Sequence, residues 1–190
     1  MGDSMKIFWK IMKESIKILI LASLISSLGG IGLESVSARL VALIPLLILM
    51  PAMNDMIGDF GAIISSKIST MLYLGRLKEK RWWGSHEAGD VFLTVAVVSI
   101  LSAVYISLLS GAIALFRGFD LKGVFLLKLV IVTIMTTIIL IVFMFWLSAT
   151  AGFYTFKKNE DPSNFLIPLT TSVADLGSML IMTSMIMWFF

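Results

Sequence analysis

Cysteine is absent from the 190 residues and histidine occurs once. The first absence excludes disulfides, thiolate metal sites and cysteine nucleophiles, and it leaves the redox compartment undetermined. The second excludes a multi-histidine transition-metal centre within one protomer. Charge is scarce as well: Asp, Glu, Lys and Arg make up 14% of the chain against 58% apolar residues, with a mean hydropathy of +1.00. No soluble core of this size hides that much apolar surface. Every stretch between the apolar runs is about a dozen residues or shorter, too little for a soluble domain. The chain therefore reads as an all-α integral membrane protein. Its net charge of +3 does not point to nucleic acid, because the basic residues cluster beside the apolar runs, as membrane topology requires.

In chain order, residues 1–15 place Ile7, Phe8, Ile11 and Met12 among Lys6, Lys10 and Lys13, an amphipathic interfacial helix with Trp9 as an anchor. Five spans follow, at about 16–33, 40–74, 91–116, 124–156 and 164–190, forming one transmembrane domain. The lysine-rich start and the small residues of SSLGGIG also describe a cleavable signal. An uncleaved span is expected, because the run is longer than a signal core and lacks a small-x-small cleavage site. The 35 residues of 40–74 would measure roughly 52 Å as a helix, against about 30 Å of hydrocarbon. Tilt, protrusion or an interruption is expected, the last at Pro45, Pro51 and the NDMIGDFGA stretch. The loop RLKEKRWWGSHEAGD carries Arg76, Lys78, Lys80 and Arg81 before Trp82 and Trp83, a basic cytoplasmic loop with an aromatic belt, and His86 reads as a solvated loop residue. Pro162 suits a turn or first helical position, Asn164 a cap.

Five spans put the termini on opposite sides. With the N-terminus inside, the inner segments hold Lys6, Lys10, Lys13, Lys17, Arg76, Lys78, Lys80, Arg81, Lys157 and Lys158, whereas the outer ones hold Arg39, Arg117 and Lys122. The positive-inside rule then gives a multi-pass cell-membrane protein with a cytoplasmic N-terminus and an outside C-terminus.

Against this apolar background the acids carry the chemistry. Asp175 lies deep in the last run, where an ionised side chain costs roughly 2.5–3.5 kcal/mol even on insertion scales. Such an acid normally faces a bundle interior or a water-filled path. The blander alternative is a helix-packing acid bonded to hydroxyls such as Thr171 or Ser178. Asp55 and Asp59 stand four apart, on one side of a helix if the helix persists. With Asn54 and the hydroxyls of Thr171 and Ser172 they make a hard-oxygen donor set. That set suits a largely hydrated Mg²⁺, and it is equally open to Na⁺, H⁺ or Ca²⁺. Enzymatic readings lack their residues: no Gly-x-Gly-Asp signature of an intramembrane aspartyl protease, no closely spaced four-aspartate set, and no serine–histidine pair.

Two stretches together resemble the MgtE and solute carrier family 41 magnesium transporters. PAMNDMIGDFGAIISSKIST, residues 51–70, is similar to the family's first signature, with Gly58 and Asp59 at its glycine–asparagine positions and Lys67, Ile68, Ser69 and Thr70 at its Arg-Leu-Ser-Thr-like end. DPSNFLIPLTTSVADLG, residues 161–177, is similar to the second, an Asp-Pro step, a further proline and a hydroxyl-rich turn leading to Asp-Leu. The resemblance implies a divalent cation transporter, most of all of Mg²⁺, working as a homodimer in membrane lipid. Asp175 would face its symmetry mate across a pore, with Asp59, Gly58 and Pro168 near it. Asp59 departs from the usual asparagine and adds a negative charge. The family's cytoplasmic sensing domains have no counterpart in these residues, so on this reading gating comes from the membrane part, the N-terminal helix or a separate protein. Lys67 is expected either to snorkel to the interface or to act as a gate or counter-ion for Asp59, and the methionines near the C-terminus to be adaptable packing. A cation/proton or cation/sodium exchanger is the transport alternative, a membrane scaffold without transport the alternative of another class.

Overall fold

A computed structural model describes residues 2–77 and 85–190 as six helices, with no strand among the described residues. They are α1 (Gly2–Glu34), α2 (Ser37–Ala42), α3 (Ile44–Tyr73), α4 (His86–Phe116), α5 (Gly123–Lys157) and α6 (Pro162–Phe189). Five of them, all but the six-residue α2, are long and apolar enough to cross a membrane. The segment expected to lie on the interface is continuous with the first span, in one 33-residue helix. The expected basic and tryptophan-rich loop, Lys78 to Trp83, lies outside the described residues.

Of the positions where an interruption of 40–74 was expected, the structure breaks beside the first, Pro45, and at none of the others. The chain breaks at Leu43, and α3 then runs unbroken through Pro51, Asn54, Gly58 and Gly61 to Tyr73. Pro45 explains the position: it has no N–H to bond the Val41 carbonyl, so a helix continuing from α2 would be broken there, whereas in the first turn of a new helix the missing N–H is not needed. Pro51 inside the helix is exposed.

Where helices end, the chain uses one device three times. Gly75 (φ 65°), Gly118 (φ 82°) and Asn159 (φ 57°) adopt left-handed backbone just past α3, α4 and α5. Each places two N–H groups on the last turn's free carbonyls, as Gly75 to Leu72 (3.1 Å) and Arg76 to Met71 (3.0 Å) do for α3. The cap of α6 is Asp161 and not Asn164: its Oδ1 accepts from Ser163 N–H at 2.9 Å and Ser163 Oγ at 2.7 Å, with Pro162 in the first helical turn. His86 opens α4 and is not in a loop; it stays exposed and meets Asp90 Oδ2 at 2.9 Å.

α3 is the central helix. Its stripe Leu46, Leu49, Met53, Ile57, Ile64 and Ile68 is fully buried at three- and four-residue spacing, against α4, α5 and α6. α1 stands at the margin and packs chiefly on α6. Since lipid is as apolar as leucine, close approach holds membrane helices together. Small residues supply it here: a Cβ at Gly61 would come within 2.8 Å of Met144 Sδ, and one at Gly152 within 3.1 Å of Leu72. The C-terminal end of α6 is held by cations, Lys128 Nζ donating to Phe189 O at 2.9 Å and Arg39 to Met187 O at 3.4 Å, which suits a helix C-terminus.

Candidate functional site

Between α3, α6 and the C-terminal half of α1 lies an open cleft of about 750 Å³. Its walls include Asn54, Asp55, Gly58 and Asp59 of α3, Thr171, Asp175 and Ser178 of α6, and Leu33 of α1. Three carboxylates line it and no basic side chain does. Because α3 persists as a helix, Asp55 and Asp59 do share one side, and both are exposed. A Cβ at Gly58 would meet nothing within 4 Å, so the glycine leaves the cleft wall bare beside Asp59.

Asp175 is the most constrained of the acids. Its Oδ1 accepts from Asn54 Nδ2 at 2.8 Å and its Oδ2 from Ser26 Oγ at 2.7 Å. Ser178 Oγ in turn donates to Asn54 Oδ1, which turns the amide so that its NH₂ faces the carboxylate. Three helices thus converge on one half-buried acid. Neutral donors stabilise the charged carboxylate without neutralising it, and each oxygen keeps a further lone pair for a donor from the cleft. At 1.5 Å per residue, Asp175 lies roughly 21 Å from the end of α6, Asn54 roughly 15 Å from the start of α3 and Ser26 roughly 12 Å from the end of α1, all well inside a bilayer core about 30 Å thick.

Of the residues singled out in sequence, Asp175, Asp59, Asp55, Asn54, Gly58 and Thr171 meet in this cleft. Ser172 does not: it is buried and donates to Leu169 O at 2.8 Å. Thr171 lines the cleft, with its hydroxyl proton directed to Ile167 O at 3.0 Å and Pro168 O at 3.1 Å. Pro168 is half-buried inside α6 and outside the cleft. Lys67 is exposed, also outside it, and among the described residues no ion pair joins it to Asp59. The hydroxyls named as packing partners, Thr171 and Ser178, do not bond the Asp175 carboxylate; Ser26 and Asn54 do.

Ser26 escaped the sequence reading, although α1 carries a signal for it. Ala22, Ser26, Gly29 and Gly32 recur at four- and three-residue steps, the stripe of small residues that lets membrane helices touch. A Cβ at Gly29 would lie 3.3 Å from the Leu176 Cα and 3.4 Å from the Asp175 carbonyl oxygen. Replacing Ser26 by alanine should lower stability by about 1 kcal/mol, the scale of interhelical hydrogen bonds in membranes, and shift the ion concentration at half-maximal flux several-fold. Ser27→Ala is the control, since that hydroxyl bonds the carbonyl of its own helix, Ser23 O, at 2.8 Å. A thermal melt and a concentration series on both variants check this.

No group of three histidine, cysteine, aspartate or glutamate side chains among the described residues is disposed to hold a metal ion. The cleft is therefore not built as a dehydrating carboxylate cage.

Comparison with known proteins gives a consistent picture. The family model described as MgtE, divalent cation transporter, matches residues 50–185, which takes in α3 to α6 and every acid of the cleft. A curated relative, solute carrier family 41 member 2 of Xenopus laevis, is 28% identical over 184 residues, covering 89% of this chain and 32% of its own length. The chain thus spans about a third of that relative. No solved structure matches it.

Proposed function

Since the chain belongs to the MgtE family of divalent cation transporters, we propose that its cargo is Mg²⁺ and that the ion passes along the α3–α6 cleft in largely hydrated form. The observation that carries this is the lining: three carboxylates, an amide and no basic group at membrane depth. Mg²⁺ keeps several waters and takes few direct carboxylate ligands, which suits an Asp175 already gripped by Ser26 and Asn54. Water on the ion donates to the free lone pairs of Asp175, Asp55 and Asp59, and the fixed negative charge lowers the barrier to entry.

The cleft is open on the side where Pro51, Ala52, Asp55 and Asp59 are exposed. Exposed carboxylates at membrane depth need water or protein, not lipid. A second copy related by a two-fold axis would close that side, pairing the two Asp175 carboxylates about one pore. The N-terminus lies in the cytoplasm and the C-terminus outside, by the distribution of lysine and arginine.

The test is Mg²⁺ flux into proteoliposomes of the purified chain, with an imposed membrane potential and with or without a pH or Na⁺ gradient. Flux driven by the potential alone supports a pore; dependence on either gradient replaces it with an exchanger. The four-residue hydrogen-bond network favours a second reading, in which Asp175 only joins helices of a scaffold subunit. That reading requires folded protein that moves no divalent ion.

A further inference from the structure

We propose that a second, smaller cavity, away from the ion cleft, is a binding site for the headgroup of a phospholipid whose distal end donates hydrogen bonds, an ethanolamine or glycerol headgroup as opposed to choline. The cavity measures about 210 Å³ and is lined by Lys13, Lys17 and Ile18 of α1, Glu160 of the α5–α6 turn and Phe165 of α6.

Lys13 and Lys17 are one helical turn apart, so their ammonium groups reach the same cavity from one face, at the spacing of helix neighbours about 5–6 Å apart at Cβ. Both are exposed, as is Glu160. Among the described residues no ion pair joins either lysine to Glu160, although all three line the same space. The cavity therefore presents two cations and one anion that do not neutralise one another. Lys158, two residues from Glu160 and within reach of its charge, rests its Nζ 4.3 Å from the centroid of the Tyr154 ring and does not line the cavity. That tyrosine also holds the Lys158 ammonium above its ordinary pKa.

Depth fits a headgroup. Lys13 and Lys17 lie 21 and 17 residues before the end of α1 at Glu34, roughly 32 and 26 Å along the helix. A hydrocarbon core of about 30 Å puts them at the boundary opposite Glu34, whichever way the chain is inserted. There a phosphodiester finds two ammonium donors for its oxygens. Ile18, which is buried, and Phe165 give an apolar wall for the glycerol end of the lipid. Glu160 lines the same space and can only accept: an ethanolamine ammonium or a glycerol hydroxyl donates to it, and a choline, with no N–H or O–H, offers charge but no hydrogen bond.

The test is native mass spectrometry of the purified full-length chain with an equimolar mixture of phosphatidylethanolamine, phosphatidylglycerol and phosphatidylcholine of identical tails. Wild type should retain the first two over the third by on the order of 10-fold, the worth of a charge-assisted hydrogen bond. The double variant Lys13→Gln, Lys17→Gln should lose retention of all three. Glu160→Gln should keep phosphate binding and lose the discrimination against choline. These positions are exposed, so the variants keep the core intact, and circular dichroism confirms it. Equal retention of phosphatidylcholine by wild type, or unchanged retention in the double variant, overturns the proposal. So does displacement of the lipid by millimolar inorganic phosphate, which would make the site one for free phosphate.

Discussion

Asp175→Asn should reduce Mg²⁺ flux by on the order of 100-fold while the protein stays folded. The estimate follows from charge. An ion that keeps its water shell has Mg–O near 2.1 Å and a charge-assisted hydrogen bond of about 2.7 Å, so it stands ~5 Å from the carboxylate oxygen. At that distance, with an effective dielectric of ~40 for a water-filled cleft, one carboxylate contributes about 3 kcal/mol of attraction to a dication, and 1.4 kcal/mol is tenfold. Asparagine is nearly the same shape. It still accepts from Asn54 through Oδ1, and its NH₂ meets the Ser26 hydroxyl, which can accept, so the three-helix junction survives. Asp175→Glu keeps the charge and moves it, and should fall between. Flux measured beside a thermal melt separates charge from structure. Full flux with a lowered melting temperature would assign Asp175 to packing alone.

Gly29→Val should have the second largest effect, and through a different route. The Cβ that valine adds would stand 2.8 Å from Met179 Sδ, which can swing away, but also 3.3 Å from the Leu176 Cα and 3.4 Å from the Asp175 carbonyl oxygen, which cannot. The branched methyls must then push α1 off α6. Overpacking of this kind costs about 1–3 kcal/mol, a fall in melting temperature of roughly 2–12 °C for a chain of this size. Ser26 is one turn from Gly29 and rides on the same helix, so its hydroxyl should leave Asp175 Oδ2. Transport should therefore show the shift in half-maximal concentration expected of Ser26→Ala together with a larger loss of stability. Gly30→Val is the matched control, because a Cβ there meets nothing within 4 Å.

Residue chemistry explains which parts of this were legible in the chain. Hydropathy marks the five spans because lipid demands apolar runs of a fixed length, and Asp175 stood out because an acid is conspicuous in such a run. Asp55 and Asp59 were legible as a pair because helical spacing alone decides their side. The helix break was legible at Pro45, but not that the chain stays helical past it. Pro51, Gly58 and Gly61 look like breakers in isolation, yet Pro51 is exposed and Gly61 fits against Met144 and Thr170. Packing on α5 and α6 outweighs local propensity there. Ser26 is 149 residues from its partner, and no local pattern specifies which of several small residues in a span will face an acid on another helix. Ser172 lies outside the cleft for the complementary reason: adjacent to Thr171 in sequence, it is turned about 100° around the helix.

If the α3–α6 cleft is the ion's path, blocking it must stop transport. The absence of native cysteine makes a direct measurement possible, since any thiol in the protein is one placed there by design. Ala52, exposed and lining the cleft, is changed to cysteine, and Mg²⁺ flux in proteoliposomes is followed before and after a charged, water-borne thiol reagent. Leu101→Cys, on an exposed apolar position of α4, serves as the lipid-facing comparison. Ala52→Cys should be labelled from water, Mg²⁺ should slow the labelling and the labelled protein should stop conducting, while Leu101→Cys should be unaffected. Flux that continues unchanged through fully labelled Ala52→Cys would contradict that path.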